Sequence, residues 1–312
     1  MCKREIIFND YNIKVCKRMF ISYKILINAL HVSILYLTIG LILLIIGIVV
    51  LVKNNSIVEA VTRYDNSCSL NSICDVTVNV AEDMEGTVII LYELDNFYQN
   101  HRRYLQSQSL TQLAGDSISA SVADKECTPI VYNKDLGIST SYTGKPLNPS
   151  AVASPCGLMA KSYFTDRIVS ITLGSSPISF SDTNLAWPNE KGKKFKRGPD
   201  SGNTQWVDPE DEHFMVWMRP AGLPTFRKLW ARVYNGLKKG KYVVRVRNLY
   251  DVKGFEGSKK IVFSTSAFYG GKNEFFAGVY LAFGILYMII ALFFIYKHKS
   301  SGGKFGAPLK LE

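Results

Sequence analysis

The stretch from Ala29 to Val52, ALHVSILYLTIGLILLIIGIVVLV, runs for 24 residues without a formal charge. As a helix rising about 1.5 Å per residue it is roughly 36 Å long, more than the ~30 Å hydrocarbon core of a bilayer. A secretory signal has an apolar centre of only about 7–15 residues, followed by a small-residue cleavage site. This run is longer and lacks a clean site, so it reads as a membrane helix that is retained. A second run, Phe275 to Tyr296, is also uncharged and spans 22 residues. Lipid offers no partner to backbone N–H and C=O groups, so both segments must be closed helices. The expected organisation is a tail (1–28), a membrane helix (29–52), an outer domain (53–274), a second membrane helix (275–296) and a second tail (297–312).

Charge orients this arrangement. Residues 1–28 carry Lys3, Arg4, Lys14, Lys17, Arg18 and Lys24 against Glu5 and Asp10. The last 16 residues carry Lys297, Lys299, Lys304 and Lys310 against Glu312. The positive-inside rule places both tails in the cytoplasm and the segment between the helices in the lumen or outside the cell. The net charge of +11 then divides into +7 on the tails (ten basic, three acidic) and +4 on the rest. Most of it reflects topology and attraction to anionic lipid, and nucleic acid is not an expected partner. The first tail mixes basic and apolar residues without a helical period, and reads equally as a membrane-surface segment, a cytosolic contact or a solvated tail.

Cysteine usage fits the same topology. Cys2 and Cys16 fall on the reducing side, whereas Cys68, Cys74, Cys127 and Cys156 fall on the oxidising side. Four cysteines allow three pairings. The sequence-near pairs Cys68–Cys74 and Cys127–Cys156 close the shortest loops and are favoured. In the chain-entropy description they contribute about 2.4 and about 3.6 kcal/mol. Asn54-Asn55-Ser56 is the usable N-x-[ST] sequon, because Asn148-Pro149-Ser150 has a central proline. Asn54 lies two residues past the expected helix end, too near the membrane for efficient glycosylation.

The outer domain reads as mainly β-structure, an antiparallel sandwich with long loops. Expected strands are Val76–Val80, Thr87–Leu94, Val169–Leu173, Pro177–Phe180, His213–Met218, Tyr242–Asn248 and Lys260–Thr265. Two short helices are expected, within NFYQNHRRYL (Phe97, His101, Tyr104 and Leu105 on one face) and LPTFRKLWARVYNG (Phe226, Leu229, Trp230 and Val233 on one face). On that reading His101 is a core histidine. The loop 189–212 concentrates Lys191, Lys193, Lys194, Lys196 and Arg197. It reads first as solvated, then as a contact for an acidic partner surface or lipid headgroups. Lys194–Arg197 also has the look of a basic processing site.

No catalytic pattern emerges. There is no phosphate loop of the G-x-x-x-x-G-K-[ST] type and no G-x-S-x-G elbow. Only His101 and His213 lie in the outer segment, too few for a histidine-rich metal site. Consecutive Glu210, Asp211, Glu212 and His213 point in different directions and do not converge. The expectation is a non-enzyme without cofactor or metal. Neither membrane helix carries an ionisable Asp, Glu, Lys or Arg, which argues against an ion path built by this chain alone. Each helix does carry small residues seven apart: Ser33, Gly40 and Gly47 in the first, Ala277, Gly284 and Ala291 in the second. Two turns return to nearly one face, so each helix presents a narrow groove. The two grooves face each other or another membrane protein.

Four blocks, NFYQNHRRYLQSQSLTQLAG, SPCGLMAKSYFTD, FMVWMRPAGLPTFRKLWARV and STSAFYGGKNEFFAGVYLAFG, resemble the cell-division-control-protein-50 family, also called the ligand-effect-modulator-3 family. The likeness runs from the first membrane helix to the second, with variable tails. It implies an accessory, chaperone-like β-subunit of a type-IV P-type ATPase, a phospholipid flippase. In that family the α-subunit hydrolyses ATP and moves lipid, and it leaves the endoplasmic reticulum only in the complex. The implied fold is two membrane helices and a disulfide-bonded, β-rich outer domain. The implied location is the endoplasmic reticulum, Golgi and endosomal membranes or the plasma membrane. Cys127 and Cys156 match a family cysteine pair, and Cys68 and Cys74 occupy the upstream cysteine region, where relatives often have more. The chain departs from the family in an expanded segment before Pro155 and in its near lack of sequons.

A rival class shares the topology: the subunit of a trimeric ligand-gated channel, with two helices, cytoplasmic termini and a disulfide-rich outer domain. The four blocks and the absence of a polar pore lining in the second helix favour the flippase subunit. A free-standing adhesion or receptor domain is a third reading, which requires that no membrane partner copurify.

Overall fold

The computed structural model describes residues 29–266 and 271–302. The first tail with Cys2 and Cys16, residues 267–270 of the fourth block, and Lys304 and Lys310 lie outside the described residues. The chain divides into two compact units, Ile57–Gly271 and the part that contains the two long helices. Among its described residues the first unit contains eight strands: β1 (Glu59–Arg63), β2 (Ser72–Val80), β3 (Val88–Asp95), β4 (Arg167–Leu173), β5 (Ser176–Pro177), β6 (Phe226–Val233), β7 (Gly240–Asn248) and β8 (Ser258–Ser264). They make two four-stranded sheets, ordered β1-β8-β3-β6 and β2-β7-β4-β5. Every pairing is antiparallel.

Alternation explains the second sheet. Val76, Val78 and Val80 of β2 are buried and separated by exposed Thr77 and Asn79. Tyr242, Val244 and Val246 of β7 are buried between exposed Lys241, Arg245 and Arg247. The register sets Val76 against Val244 and Val78 against Tyr242, so one face is apolar and the other charged. That apolar face joins Ile90, Ile261 and Phe263 of the first sheet in one core. The Tyr242 and Phe263 rings meet edge to face at 6.2 Å. On the first sheet Arg227 pairs with both Glu59 and Glu93, and Lys260 with Glu93. Burial pushes the Glu93 carboxyl up, but the hydrogen bonds from Lys260 and Arg227 outweigh it and hold it below an ordinary glutamate.

The long connection from β3 to β6 contains β4, β5 and seven short helices. These are α2 (Arg102–Gln106), α3 (Leu110–Leu113), α4 (Ala120–Cys127), α5 (Asn133–Leu136), α6 (Leu158–Lys161), α7 (Ser201–Thr204) and α8 (Glu212–Trp217). The second unit is built on α1 (Ala29–Asn55) and α9 (Glu274–Ser300). Both are long and apolar enough to cross a membrane.

Several sequence expectations are corrected. The segment LPTFRKLWARVYNG holds a strand, β6, and not a helix. Between Ile90 and Leu91 the β3–β6 register shifts, so that Ile90 faces Ala231 and Leu91 faces Leu229, leaving Trp230 as the extra residue of a bulge. That extra residue converts the two-residue period of a strand into spacings of three and four, which imitate a helix. The reverse error falls on His213–Met218, which lies largely within helix α8 and is not a strand. Phe214, Met215, Val216 and Trp217 are all buried, so the run has no polar face to reveal its period. Asp211 caps this helix by accepting the His213 N–H at 3.0 Å. Of Pro177–Phe180 only Pro177 is in a strand. In NFYQNHRRYL the helix is confined to its last residues, and His101 is an exposed residue at its start and not a core histidine. Phe97 still meets Tyr104, edge to face at 5.7 Å.

Candidate functional site: a helix pair, a cystine hub and a basic-rimmed groove

The two small-residue stripes face each other. Ser33, Gly40, Gly47, Ala277, Gly284 and Ala291 are all buried. A Cβ at Gly40 would lie 3.2 Å from the Gly284 carbonyl oxygen, and one at Gly47 would lie 3.1 Å from the Leu281 backbone nitrogen. On the other side, a Cβ at Gly284 would meet the Leu44 side chain at 2.8 Å. Small side chains thus let two antiparallel backbones approach closely. Tyr36 adds ring contacts to Tyr287 and Phe294. The remaining faces stay apolar and exposed, including Leu41, Ile45 and Val52 on α1 and Phe283, Leu292 and Phe293 on α9.

Asn54 sits inside the last turn of α1, fully buried. Its side-chain oxygen accepts the Asn273 N–H at 2.6 Å, and Asn273 in turn caps α9 by accepting the Phe276 N–H. Asn54 thus fastens the end of α1 to the start of α9.

In the unit Ile57–Gly271, Cys68 is bonded to Cys74 and Cys127 to Cys156. Around the second bond three of the four motif blocks converge. Gln112 accepts the Cys156 N–H at 2.9 Å and donates to the Ala153 carbonyl at 2.9 Å. The Ser107 hydroxyl donates to the Cys127 carbonyl at 2.9 Å and accepts the Leu158 N–H at 2.8 Å. Trp206 and Trp217 donate their indole N–H groups to the carbonyls of Pro155 and Met159. Gly157 has φ +101°, and a Cβ there would lie 2.2 Å from the Ser107 carbonyl oxygen.

A second hub sits among the sheets. Lys259 donates to Asp166 at 2.7 Å, to Asn248 at 2.5 Å and to the Tyr250 carbonyl at 2.5 Å. Asp166 also accepts the Tyr64 hydroxyl at 2.7 Å and the N–H groups of Leu249 and Tyr250 at 2.6 Å each. Burial lowers the Lys259 pKa, with Asp166 opposing. Burial, then Asp166, raises that of Tyr64 well above a free tyrosine. Lys228 points inward too, donating to the carbonyls of Val216, Trp217 and Arg219 at the end of α8. Burial, then the Arg219 charge, brings its ammonium down to about 7.

The acidic run diverges as expected. Glu210 accepts the Arg197 N–H, Asp211 takes Tyr163 and Arg167, and Glu212 pairs with Lys191. His213 is half-buried, with its ring 4.9 Å from that of Trp230. Burial, then the Arg167 charge, holds it below an ordinary histidine.

The basic loop is anchored through its backbone. Phe195 is buried, the Lys196 N–H donates to the Leu113 carbonyl at 2.8 Å, and Arg197 grips Asp208. A processing protease would have to extract this segment before cutting it. Beside it lies a groove of about 630 Å³, floored by Leu113, Phe195, Met218 and Trp187 and edged by Leu110, Lys193 and Lys194. Trp187 is 60% exposed and Leu110 70% exposed. The Arg219 guanidinium stacks 4.2 Å from the Trp187 ring centroid. Glu190, buried, holds Arg219 through a paired contact and accepts the Trp187 N–H at 3.1 Å. Burial raises the Glu190 carboxyl, and the Arg219 and Trp187 donors more than reverse it.

Sequence reasoning found the helix stripes and the cysteines. It missed Asp166, Lys259, Lys228 and Glu190, whose partners come from other elements of the fold. Trp187 carried no signal beyond its residue type.

Comparison with known proteins adds the context of this architecture. A profile of the LEM3 (ligand-effect modulator 3) family / CDC50 family matches residues 52–304. ALA-interacting subunit 3 of Arabidopsis thaliana is 30% identical, over 98% of this chain and 88% of the relative. Cell cycle control protein 50A of Bos taurus is 31% identical, over 85% of this chain and 82% of the relative. A Chaetomium thermophilum protein named "Phospholipid-transporting ATPase accessory subunit CDC50" is 28% identical, over 71% of this chain and 59% of the relative.

Proposed function

The chain belongs to the ligand-effect modulator 3 / CDC50 family, and on that premise we propose that it is the accessory subunit of a phospholipid-translocating type-IV P-type ATPase. The carrying observation is that the family match starts near the end of α1, covers the outer domain and includes α9, so the likeness extends to the membrane-anchored architecture. It agrees with a relative named as such a subunit. In this reading the chain hydrolyses no ATP. It escorts the catalytic subunit through folding and out of the endoplasmic reticulum and supports its transport cycle. The basic tails are cytoplasmic and the outer domain is lumenal or extracellular. The exposed apolar faces of α1 and α9 face lipid and the partner's helices.

The test is purification of the tagged full-length chain in mild detergent after co-expression with a type-IV P-type ATPase of the same genome. One copy of this chain per ATPase, with ATP turnover only in the complex, is expected. A homotrimer that gates current, or ATP turnover by the chain alone, overturns the reading.

A further inference from the structure

We propose that the groove beside Trp187 is a docking site for an acidic peptide segment with an apolar anchor, supplied by an outward-facing loop of the transporter subunit. The inference rests on the accessory-subunit reading and adds to it the surface used and the chemistry of what it receives.

Three observations carry it. First, the floor is apolar and held open: Glu190 fixes Arg219, and Arg219 stacks on Trp187, so an indole that stays mostly exposed is held in one position. Fixed tryptophan and arginine side chains beside an apolar floor are the composition of interface anchor points. Second, the free charge is on the rim and of one sign. Lys193 and Lys194 are exposed at its edge, and no ion pair involves them among the described residues, whereas Lys191 and Arg197 are spent on Glu212 and on Asp208 with Glu210. The rim therefore complements acidic side chains. Third, the pattern disfavours a lone phosphate or a lipid headgroup. The one cation on the floor, Arg219, is already neutralised by Glu190, whose carboxylate would repel an anion entering there. A dry apolar centre with charge at its margin is how protein–protein contacts are built.

The test uses the full-length chain co-expressed with the ATPase and a photo-crosslinking phenylalanine analogue at Leu110, with Asn79 on the exposed face of β2 as control. Expected is a crosslink from position 110, and not from 79, to an ATPase peptide that contains Asp or Glu. Lys193→Glu with Lys194→Glu, and separately Trp187→Ala, should lower that crosslink at least fivefold. Lys239→Glu with Lys241→Glu should leave it unchanged. Equal melting temperatures of the variants verify that they fold. An ATPase that copurifies without a crosslink from 110, or a crosslink to lipid, overturns the groove assignment while leaving the accessory-subunit reading intact. Failure of the unmodified chain to retain the ATPase overturns both.

Discussion

Asp166 and Lys259 form a 2.7 Å ion pair inside the β-rich unit, with side-chain exposures of 3% and 1%. Four elements meet there: the loop after β1 through Tyr64, the segment before β4 through Asp166, the end of β7 through Asn248 and Tyr250, and β8 through Lys259. Each donor has an acceptor, which is what makes a charge tolerable at that depth.

Removing Asp166 should cost more than removing Lys259. Asp166 serves four donors, whereas Lys259→Met leaves three of them bonded. Breaking one side of a buried pair costs about 3–5 kcal/mol. For a domain of this size, Asp166→Ala should lower the melting temperature by roughly 6–20 °C. Intrinsic fluorescence of the full chain in detergent reads it, and a shift under about 2 °C contradicts the network's role.

Gly157→Ala should be as damaging as loss of a cystine. The new methyl group would strike the Ser107 carbonyl, and the positive φ is strained for alanine. A cost above about 2 kcal/mol is expected from strain and displacement together. The variant should accumulate in the endoplasmic reticulum, and ordinary export would refute the close approach.

His213 gives the fold a slope against pH. Its folded pKa lies below the free value, so the unfolded chain takes the proton first as pH falls through about 6.5. Stability contributed by the neutral ring is present above that pH and is lost below it, by up to about 1.4 kcal/mol per pH unit until the folded form also titrates. Glu93, Glu190 and Glu212 are held below their ordinary values and do not titrate in this window. Melting temperatures from pH 7 to pH 5 should fall for the native chain and fall less for His213→Gln. Parallel curves would remove His213 from the account.

Gly40→Leu with Gly284→Leu should separate the membrane helices. Each leucine must occupy space now filled by the opposite backbone. Copurification with the ATPase should drop severalfold, while Leu41→Ala, on an exposed face, should keep the helix pair intact. Full retention of the partner by the double variant would make the close packing dispensable.

The membrane helices were legible because charge-free length is a one-dimensional signal, and the small-residue stripes because a fixed period is another. The strands of β2 and β7 were legible because one face is charged. Legibility failed where a second layer hides the period. In β6 a bulge at Trp230 rewrites the alternation. In α8 burial on all sides erases it. Asp166, Lys228 and Lys259 carried no signal in the sequence because their partners come from other elements of the fold, a relation that no periodic pattern contains.

One feature of the sheet order bears on how the protein is made. β8 is the last strand of its domain to leave the ribosome, yet it lies between β1 and β3. Until Ser258–Ser264 are synthesised, the earliest strand waits with its edge unsatisfied, roughly two hundred residues from its mate. A chain cut short anywhere upstream therefore lacks the strand that joins β1 to β3, and its first sheet stays open.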